Sequence, residues 1–278
     1  STAKKPSTPP SSSGPAVPPA PTTVHVPLAP AADGAEFMPL APNSLEEAGV
    51  TEGQIEALIL KFLCFQMNAT GREIAKQVGL SFLIVEKLLS RLKTDQLVVY
   101  KGVAVLGDYN YQLTANGIES ARRLMRQGTY CGTAPVDIKD YIASVSAQTV
   151  TGRQPTLEEL HKAFHDIKVD DEILNRVGQA LHAGQGFFLH GAPGNGKTSI
   201  AERVSQAYGQ NIWIPRAIGI DGQIVRLFDP CNHYEAPYED DGDINGQKID
   251  GRWVRIRRPA IIVGGELTMD RLEISSNL

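Results

Sequence analysis

The stretch GFFLHGAPGNGKTSIAERVSQAYG, Gly186 to Gly209, determines how the rest of this 278-residue chain is interpreted. It opens with a short apolar run, Phe187 to His190, which predicts a β-strand. Gly191 to Thr198 spells G-x-x-x-x-G-K-T, and Ser199 to Tyr208 then has helical periodicity. The order therefore predicts a strand, a phosphate-binding loop and a helix.

The glycines and the helix give this loop its expected chemistry. Gly191, Gly194 and Gly196 permit backbone angles that a side chain would forbid, so that consecutive N–H groups can point inward around an anion. The helix that follows adds its unpaired first-turn donors and the positive end of its dipole. We expect Lys197 to reach the β- and γ-phosphates and the Thr198 hydroxyl to bind Mg²⁺.

The loop resembles the Walker A motif of AAA+ ATPases, commonly G-x-P-G-x-G-K-T, with Pro193 in the proline position and Asn195 where Thr is frequent. The resemblance covers roughly Thr156 to the end of the chain, and this is its one sharp motif. It implies an ATP-binding ATPase with Mg²⁺ as cofactor, Lys197 as catalytic residue and Thr198 as metal ligand. The nucleotide-binding residues are then Gly191, Ala192, Pro193, Gly194, Asn195, Gly196, Lys197, Thr198 and Ser199.

The resemblance to AAA+ proteins also implies a use for the nucleotide. It suggests energy-dependent remodelling of a protein partner by a homo-oligomeric ring. ATP is favoured over GTP because the chain contains no N-K-x-D guanine motif. Two alternatives stay open: a P-loop kinase, for which no residue pattern identifies a phosphoacceptor site, and a DNA-binding regulator that the nucleotide only switches.

Composition divides the chain into four parts. Residues 1–43 are rich in Pro, Ala, Ser and Thr, so they cannot bury enough surface to offset their ordering entropy, and we predict a disordered tail. Residues 44–128 are predicted to be an α+β winged-helix domain and residues 129–155 an interdomain linker. Residues 156–278 are predicted to be the N-terminal part of a truncated α/β P-loop domain of AAA+ type.

The predicted winged-helix domain contains three helices, a two-stranded ribbon and a closing helix. Thr51 is expected to cap the first helix. Thr70 and Glu73 form a predicted capping box at the second helix, which Gly79 is expected to end. The predicted elements are Thr51–Gln66, Thr70–Gly79, Ser81–Gln96, Leu97–Tyr100, Tyr109–Leu113 and Ala115–Arg126.

This order of elements resembles the winged helix, in which Ser81 to Arg91 would be the recognition helix and Gly102 to Asp108 the wing. Charge argues little for DNA binding, because ten basic residues in 44–128 nearly cancel nine acidic ones. The run Phe82 to Ile84, expected to be exposed, suits a protein contact at least as well. Phosphate contacts, if DNA is bound, would come from Lys87, Arg91, Lys93 and Lys101.

Hydrolysis by AAA+ proteins needs a Walker B strand, four apolar residues ending in Asp-Glu, that holds Mg²⁺ and polarises water. Two segments come near this pattern, and neither fits it. As a central strand, Ile224 to Asp229 would bury Arg226 without a partner. The segment Ile261 to Glu266 has glycines where the Asp should stand. We therefore predict that this chain binds ATP but does not hydrolyse it efficiently. A missing C-terminal stretch of about 100 residues, which would bring the domain to ordinary size, is expected to contain the Walker B strand.

Bulk composition excludes several classes of protein. The net charge of −4 provides no global attraction for nucleic acid or an anionic membrane. Cys64, Cys131 and Cys231 lie far apart without a C-x-x-C motif, which fits a reducing compartment. No apolar run approaches the ~18 residues of a membrane span. These features predict a cytoplasmic protein without membrane association.

Two groups of residues have spacings that metal sites can use. His161 and His165 lie four residues apart in a predicted helix, but the pattern H-E-x-x-H is not met, and we interpret them as part of a solvated or partly packed helix face. Asp229, Cys231 and His233 follow one another at a spacing of two. A turn beginning at Asp229 is favoured there over a metal cluster.

Overall fold

The computed structural model describes residues 37–104, 107–150, 155–183, 188–192, 194–238 and 248–259. The helices are α1 (Glu52–Gln66), α2 (Gly71–Val78), α3 (Phe82–Thr94), α4 (Ala115–Gln127), α5 (Ile138–Gln148), α6 (Leu157–Ala163), α7 (Asp171–His182) and α8 (Lys197–Ala207). The strands are β1 (Asn68–Thr70), β2 (Val98–Val103), β3 (Tyr109–Leu113), β4 (Val136–Asp137), β5 (Asn211–Pro215), β6 (Ala217–Ile220), β7 (Gln223–Arg226) and β8 (Trp253–Arg257). The predicted tail up to residue 36 and the strand candidate Ile261 to Glu266 lie outside the described residues.

Helices α1 to α4 and strands β1 to β3 form an N-terminal unit around one apolar core. The three strands make an antiparallel sheet in the order β1-β3-β2. Helix and strand order follows the sequence-based expectation, with β1 as an additional strand. The largest fully buried side chains of this core include Tyr111, Ile55, Ile59, Leu63, Ile74, Leu89 and Leu92.

Local sequence determines where the helices of this unit begin and end. Thr51 and Thr70 cap α1 and α2 as predicted, and Glu73 completes the capping box of α2. Gly79 ends α2 in the left-handed conformation, with φ of 72°, also as predicted. Ser81 precedes α3, but its side chain makes no capping hydrogen bond to a described residue.

The buried carboxylate of Asp108 joins the end of the predicted wing to the start of α2. It accepts hydrogen bonds from the backbone N–H groups of Gly71 (3.1 Å) and Arg72 (2.9 Å), which are first-turn donors of the helix. It also accepts one from Tyr109 N–H (2.7 Å). A Cβ at Gly71 would lie 2.7 Å from Asp108 Oδ1, so glycine permits this close approach.

The segment 129–155, predicted as a linker, carries secondary structure and core residues. Ala134 is buried in the core of the N-terminal unit, and Val136 is buried in a second cluster with the two tryptophans. Strand β4 pairs in parallel with β6, Val136 opposite Ile218, and α5 follows it directly. Ala134 and Val136 anchor the start of this segment in the two cores, whereas Ile142 and Val145 of α5 are exposed.

The strands after residue 210 form two small sheets. Strands β6 and β7 make the hairpin that Asp221-Gly222 predicts from its sequence. Both turn residues have positive φ, 48° and 78°, as a type I′ turn requires. Strand β7 lies at the edge of the order β4-β6-β7, and β5 pairs antiparallel with β8.

Helices α6 to α8 form a separate helical unit with its own apolar core. Its buried members are Leu160, Ala163, Phe164, Leu174, Val177, Leu181, Ile200 and Ala207. In the chain this unit lies between α5 and β5, whose facing ends are hydrogen-bonded: Trp213 N–H donates to Gln148 Oε1 (2.6 Å). Arg258 Nη1 donates to Gln148 O (3.2 Å), and the Arg258 N–H donates to Gln210 O (2.7 Å). The end of α5, where the chain enters the helical unit, therefore lies close to the start of β5, where the chain leaves it.

The strand predicted at Phe187 to His190 does not form over its described part, residues 188–190. The Phe188 side chain is 87% exposed, whereas Leu189 packs against the helical core. This expectation was wrong because an apolar run becomes a strand only beside a pairing partner. No described strand pairs with these residues.

A buried ion pair fixes β8 to the N-terminal unit. Three Arg252–Asp250 side-chain contacts of 2.8 to 3.1 Å join the guanidinium to the carboxylate, and both side chains are nearly fully buried. Arg252 Nη1 also donates to the carbonyl oxygens of Ala48 (2.7 Å) and Pro135 (3.1 Å). One side chain thus contacts three segments that are far apart in sequence.

The substitution Asp250→Asn should lower the free energy of unfolding by about 3 kcal/mol, because it leaves the Arg252 charge buried without its counterion. The matched control is Glu172→Gln, which breaks the exposed pair with Arg176 and should cost less than about 0.5 kcal/mol. Trp213 and Trp253 lie in β5 and β8, so tryptophan fluorescence during urea unfolding reports on this region. Equal midpoints for the two variants would contradict the role of the pair.

Gly117→Ala should destabilise the N-terminal unit by about 2 kcal/mol, because overpacking forces the backbone to move. A Cβ at Gly117 in α4 would lie 2.1 Å from the carbonyl oxygen of Leu97. The control is Gly53→Ala in α1, where no described atom lies within 4 Å of the added Cβ. Urea unfolding followed by circular dichroism should show a loss for the first variant and little change for the second. A stable Gly117→Ala protein would refute this packing.

Candidate functional site

The loop before α8 has the backbone conformation that its glycines predict. Gly194 has φ of 87° and Gly196 has φ of 69°, both in the left-handed region where side chains are disfavoured. Gly196 is the N-cap of α8, and Lys197 is the first residue of the helix. The loop therefore turns sharply and delivers the chain directly into a helix N-terminus.

Lys197 folds back over this loop. Its ammonium donates hydrogen bonds to the carbonyl oxygens of Gly191 (3.0 Å) and Ala192 (2.8 Å). These acceptors are neutral and the site is exposed, so an anionic oxygen would make the stronger, charge-assisted bond. The lysine is thus held beside the loop by contacts that an anion can replace.

The space above the loop is open. A Cβ built at Gly191, Gly194 or Gly196 would meet no described atom within 4 Å. Thr198 is exposed in the first turn of α8, where backbone N–H groups have no partner within the helix. Free donors, a helix N-terminus and an ammonium at one exposed turn fit a polyphosphate with a bound cation. Of the predicted nucleotide-binding residues, Pro193 lies outside the described residues.

Helix α8 is fastened to the helical unit by apolar and charged contacts. Ile200 and Ala207 are buried in the helical core, so this face of α8 packs on helices. Arg203 Nε donates to Asp166 Oδ1 (3.2 Å), and the guanidinium also pairs with Glu202 (2.9 Å). The hydrogen bond from Arg203 lowers the pKa of the Asp166 carboxyl. No local sequence signal identifies this pair, because 37 residues separate Asp166 from Arg203.

The residues proposed for DNA phosphates are only partly available. Arg91 pairs with Glu52 and lies 3.7 Å from Glu56 Oε1. Lys93 Nζ lies 3.7 Å from the centroid of the Tyr100 ring. Lys87 and Lys101 are exposed. Half of the predicted phosphate contacts therefore already have partners within the N-terminal unit.

The apolar start of α3 is less exposed than the sequence predicts. Leu83 is 71% exposed, and Phe82 is half-buried under the Arg72 guanidinium. Ile84 is buried in the core, so the expectation that it is exposed was wrong. The helical period places Ile84 on the same face as Leu88, which is also buried.

The residues with metal-like spacing do not assemble a metal site in the described part of the chain, where no group of three or more suitable ligands is found. The Asp229 carboxylate accepts hydrogen bonds from Cys231 N–H (3.0 Å) and Asn232 Nδ2 (2.6 Å). The hydrogen bond from Cys231 N–H lowers the pKa of the Asp229 carboxyl most, and the hydrogen bond from the Asn232 side chain lowers it further. The predicted turn at Asp229 is confirmed. Both histidines near α6 are exposed, and only His161 lies within the helix.

The first Walker B candidate lies in a position unlike a central strand. The candidate segment Ile224 to Asp229 overlaps strand β7, which lies at a sheet edge. Arg226 is exposed there. The second candidate, with Glu266, lies outside the described residues.

Within the described ranges, no helix is both long and apolar enough to cross a membrane.

Comparison with other proteins adds no family to this description. No protein-family model, no curated protein and no solved structure matches the chain.

Proposed function

We propose that residues 191–199 bind Mg-ATP and that the protein is an AAA+ type ATPase that remodels a protein partner. The observation that carries the proposal is the left-handed pair Gly194 and Gly196, followed at once by Lys197 as the first residue of α8. The sequence G-x-x-x-x-G-K-T supplies the residue types, and the backbone places them at a helix N-terminus.

Each side chain of the loop has a distinct proposed role. Backbone N–H groups of the loop and of the first turn of α8 hold the phosphates. Lys197 exchanges the carbonyl oxygens of Gly191 and Ala192 for phosphate oxygens, which offer a charge-assisted bond. Thr198 holds Mg²⁺ through its hydroxyl, and the ion neutralises charge on the β- and γ-phosphates when bound.

We infer that this polypeptide binds ATP without hydrolysing it efficiently. Hydrolysis needs a carboxylate beside the loop to orient and polarise water. The Asp229 carboxylate, which follows β7, instead accepts hydrogen bonds from Cys231 N–H and Asn232 Nδ2 in its own turn. Steady hydrolysis abolished by Glu266→Gln would overturn this inference.

The partner of the ATPase is proposed to be a protein, with a homo-oligomeric ring as the working assembly. A nucleotide-switched DNA regulator has less support, since Arg91 and Lys93 already have intramolecular partners. Phosphoryl transfer to a small molecule has no identified acceptor site. The unpaired Cys64, Cys131 and Cys231 support a reducing, cytoplasmic location.

Lys197→Ala should weaken Mg-ATP binding at least about tenfold, because a hydrogen-bonded charge on the phosphates is lost. Binding of a fluorescent ATP analogue, titrated at constant Mg²⁺, measures the change in Kd. Lys168→Ala is the matched control: it removes an exposed lysine of the same helical unit that lies outside the loop. Equal Kd values for the two variants would refute the assignment.

Thr198→Ala should remove most of the gain in ATP affinity that Mg²⁺ provides, because the hydroxyl that holds the ion is absent. The same titration is run with Mg²⁺ and with a chelator. Ser205→Ala serves as the control, since Ser205 also lies in α8 and its hydroxyl donates to the Glu202 carbonyl (2.7 Å) rather than facing the loop. A Mg²⁺ effect that survives in Thr198→Ala would exclude this residue as the metal ligand.

A further inference from the structure

An open cleft of about 860 Å³ lies where the strands after residue 210 meet the N-terminal unit. None of its lining residues belongs to the helical unit, so it is separate from the nucleotide loop. Its lining includes residues of α2 and Ser81 just before α3, together with the end of β7 and the approach to β8. The lining comes from residues 41–42, 73–81, 130–133, 216–230 and 248–253.

The lining of this cleft is strongly cationic, although the chain as a whole carries a net charge of −4. Among the described residues that form it, the only carboxylate is that of Glu73, which already accepts a hydrogen bond from Thr70 N–H (2.7 Å) in the capping box. The basic residues of the lining are Lys76, Arg216, Arg226 and Lys248.

Three of these cations are available to a ligand. Lys76, Arg226 and Lys248 are exposed, and none of them forms an ion pair with a described residue. Arg216 is different, because it lies 3.4 Å from Glu235 Oε1 and covers the Phe228 ring. Within the described ranges, the cleft therefore offers three positive charges that have no ion-pair partner, and they come from three separate segments.

The floor of the cleft is apolar, and one strand that reaches the lining has an open edge. Leu80, Phe228 and Trp253 are buried residues that contribute to the lining. Arg226 ends β7, whose second edge pairs with no described strand. An extended peptide can add to such an edge through backbone hydrogen bonds, while its side chains fill the pockets beside it. A nucleic-acid backbone would match the charges but not the apolar floor.

We propose that this cleft docks a peptide segment of a partner protein that combines acidic and apolar side chains. Carboxylates of the segment bind Lys76, Arg226 and Lys248, and its apolar side chains pack on the apolar floor of the cleft. The proposal does not depend on nucleotide binding, because the helical unit contributes nothing to the cleft.

Fluorescence anisotropy with the full chain tests the site. The probe is the fluorescein-labelled peptide Glu-Glu-Leu-Glu-Glu-Tyr-Glu-Glu at about 150 mM salt, where distant charges are screened. Arg226→Glu and Lys248→Glu should each weaken binding at least about tenfold. Arg122→Glu makes the same change of net charge on the exposed face of α4, outside the cleft, and should leave Kd within about twofold. Circular dichroism verifies that each variant is folded, and the two cleft variants test the site independently.

Three outcomes would overturn the proposal. The first is no binding of the acidic peptide at about 1 mM protein, a concentration at which even a complex with a Kd of about 1 mM is half-formed. The second is equal loss in Arg122→Glu, which would indicate a general charge effect. The third is tighter, Arg226-dependent binding of a single-stranded thymidine oligonucleotide, which would assign the cleft to nucleic acid. A peptide with Lys in place of every Glu should not bind.

Discussion

The buried pair of Asp250 and Arg252 is the interaction on which the arrangement of the described chain depends. Removing two charges from water is costly, and the pair is tolerated because the guanidinium contacts the carboxylate and two backbone carbonyl oxygens. Those carbonyls belong to Ala48 and Pro135, so the charge is satisfied only when three segments meet. Gly79 completes the contact, since a Cβ there would lie 2.9 Å from Arg252 N.

The two candidate sites lie on different parts of the molecule. Once β8 is fixed on the N-terminal unit, β5 pairs with it, and the helical unit extends between Gln148 and Gln210. The loop proposed to bind nucleotide lies on that helical unit, which has its own core. The cationic cleft lies instead where the strands meet the N-terminal unit. The two proposed sites, one for nucleotide and one for a protein segment, therefore share no residues.

Sequence reasoning succeeded where the signal is local. The caps at Thr51 and Thr70 and the Asp221 turn depend on residues within four positions of one another. The glycine conformations of the loop were likewise predictable from the spacing alone. Contacts between distant parts of the chain could not be predicted. Arg252 and Ala48 lie 204 positions apart, and no sequence pattern marks either as a partner of the other. The cleft could not be predicted for the same reason, because its lining comes from five segments.

The turn before α8 is the proposed nucleotide site of this protein. Hydrogen–deuterium exchange of the full chain, with and without Mg-ATP, tests it most directly, because a bound phosphate takes up the unpaired donors of the loop and the first helical turn. Slower exchange is expected from Gly194 to Ser199, with little change at the cleft residues Lys76 and Arg226. Unchanged exchange across the loop at saturating Mg-ATP, or protection confined to the cleft, would contradict it.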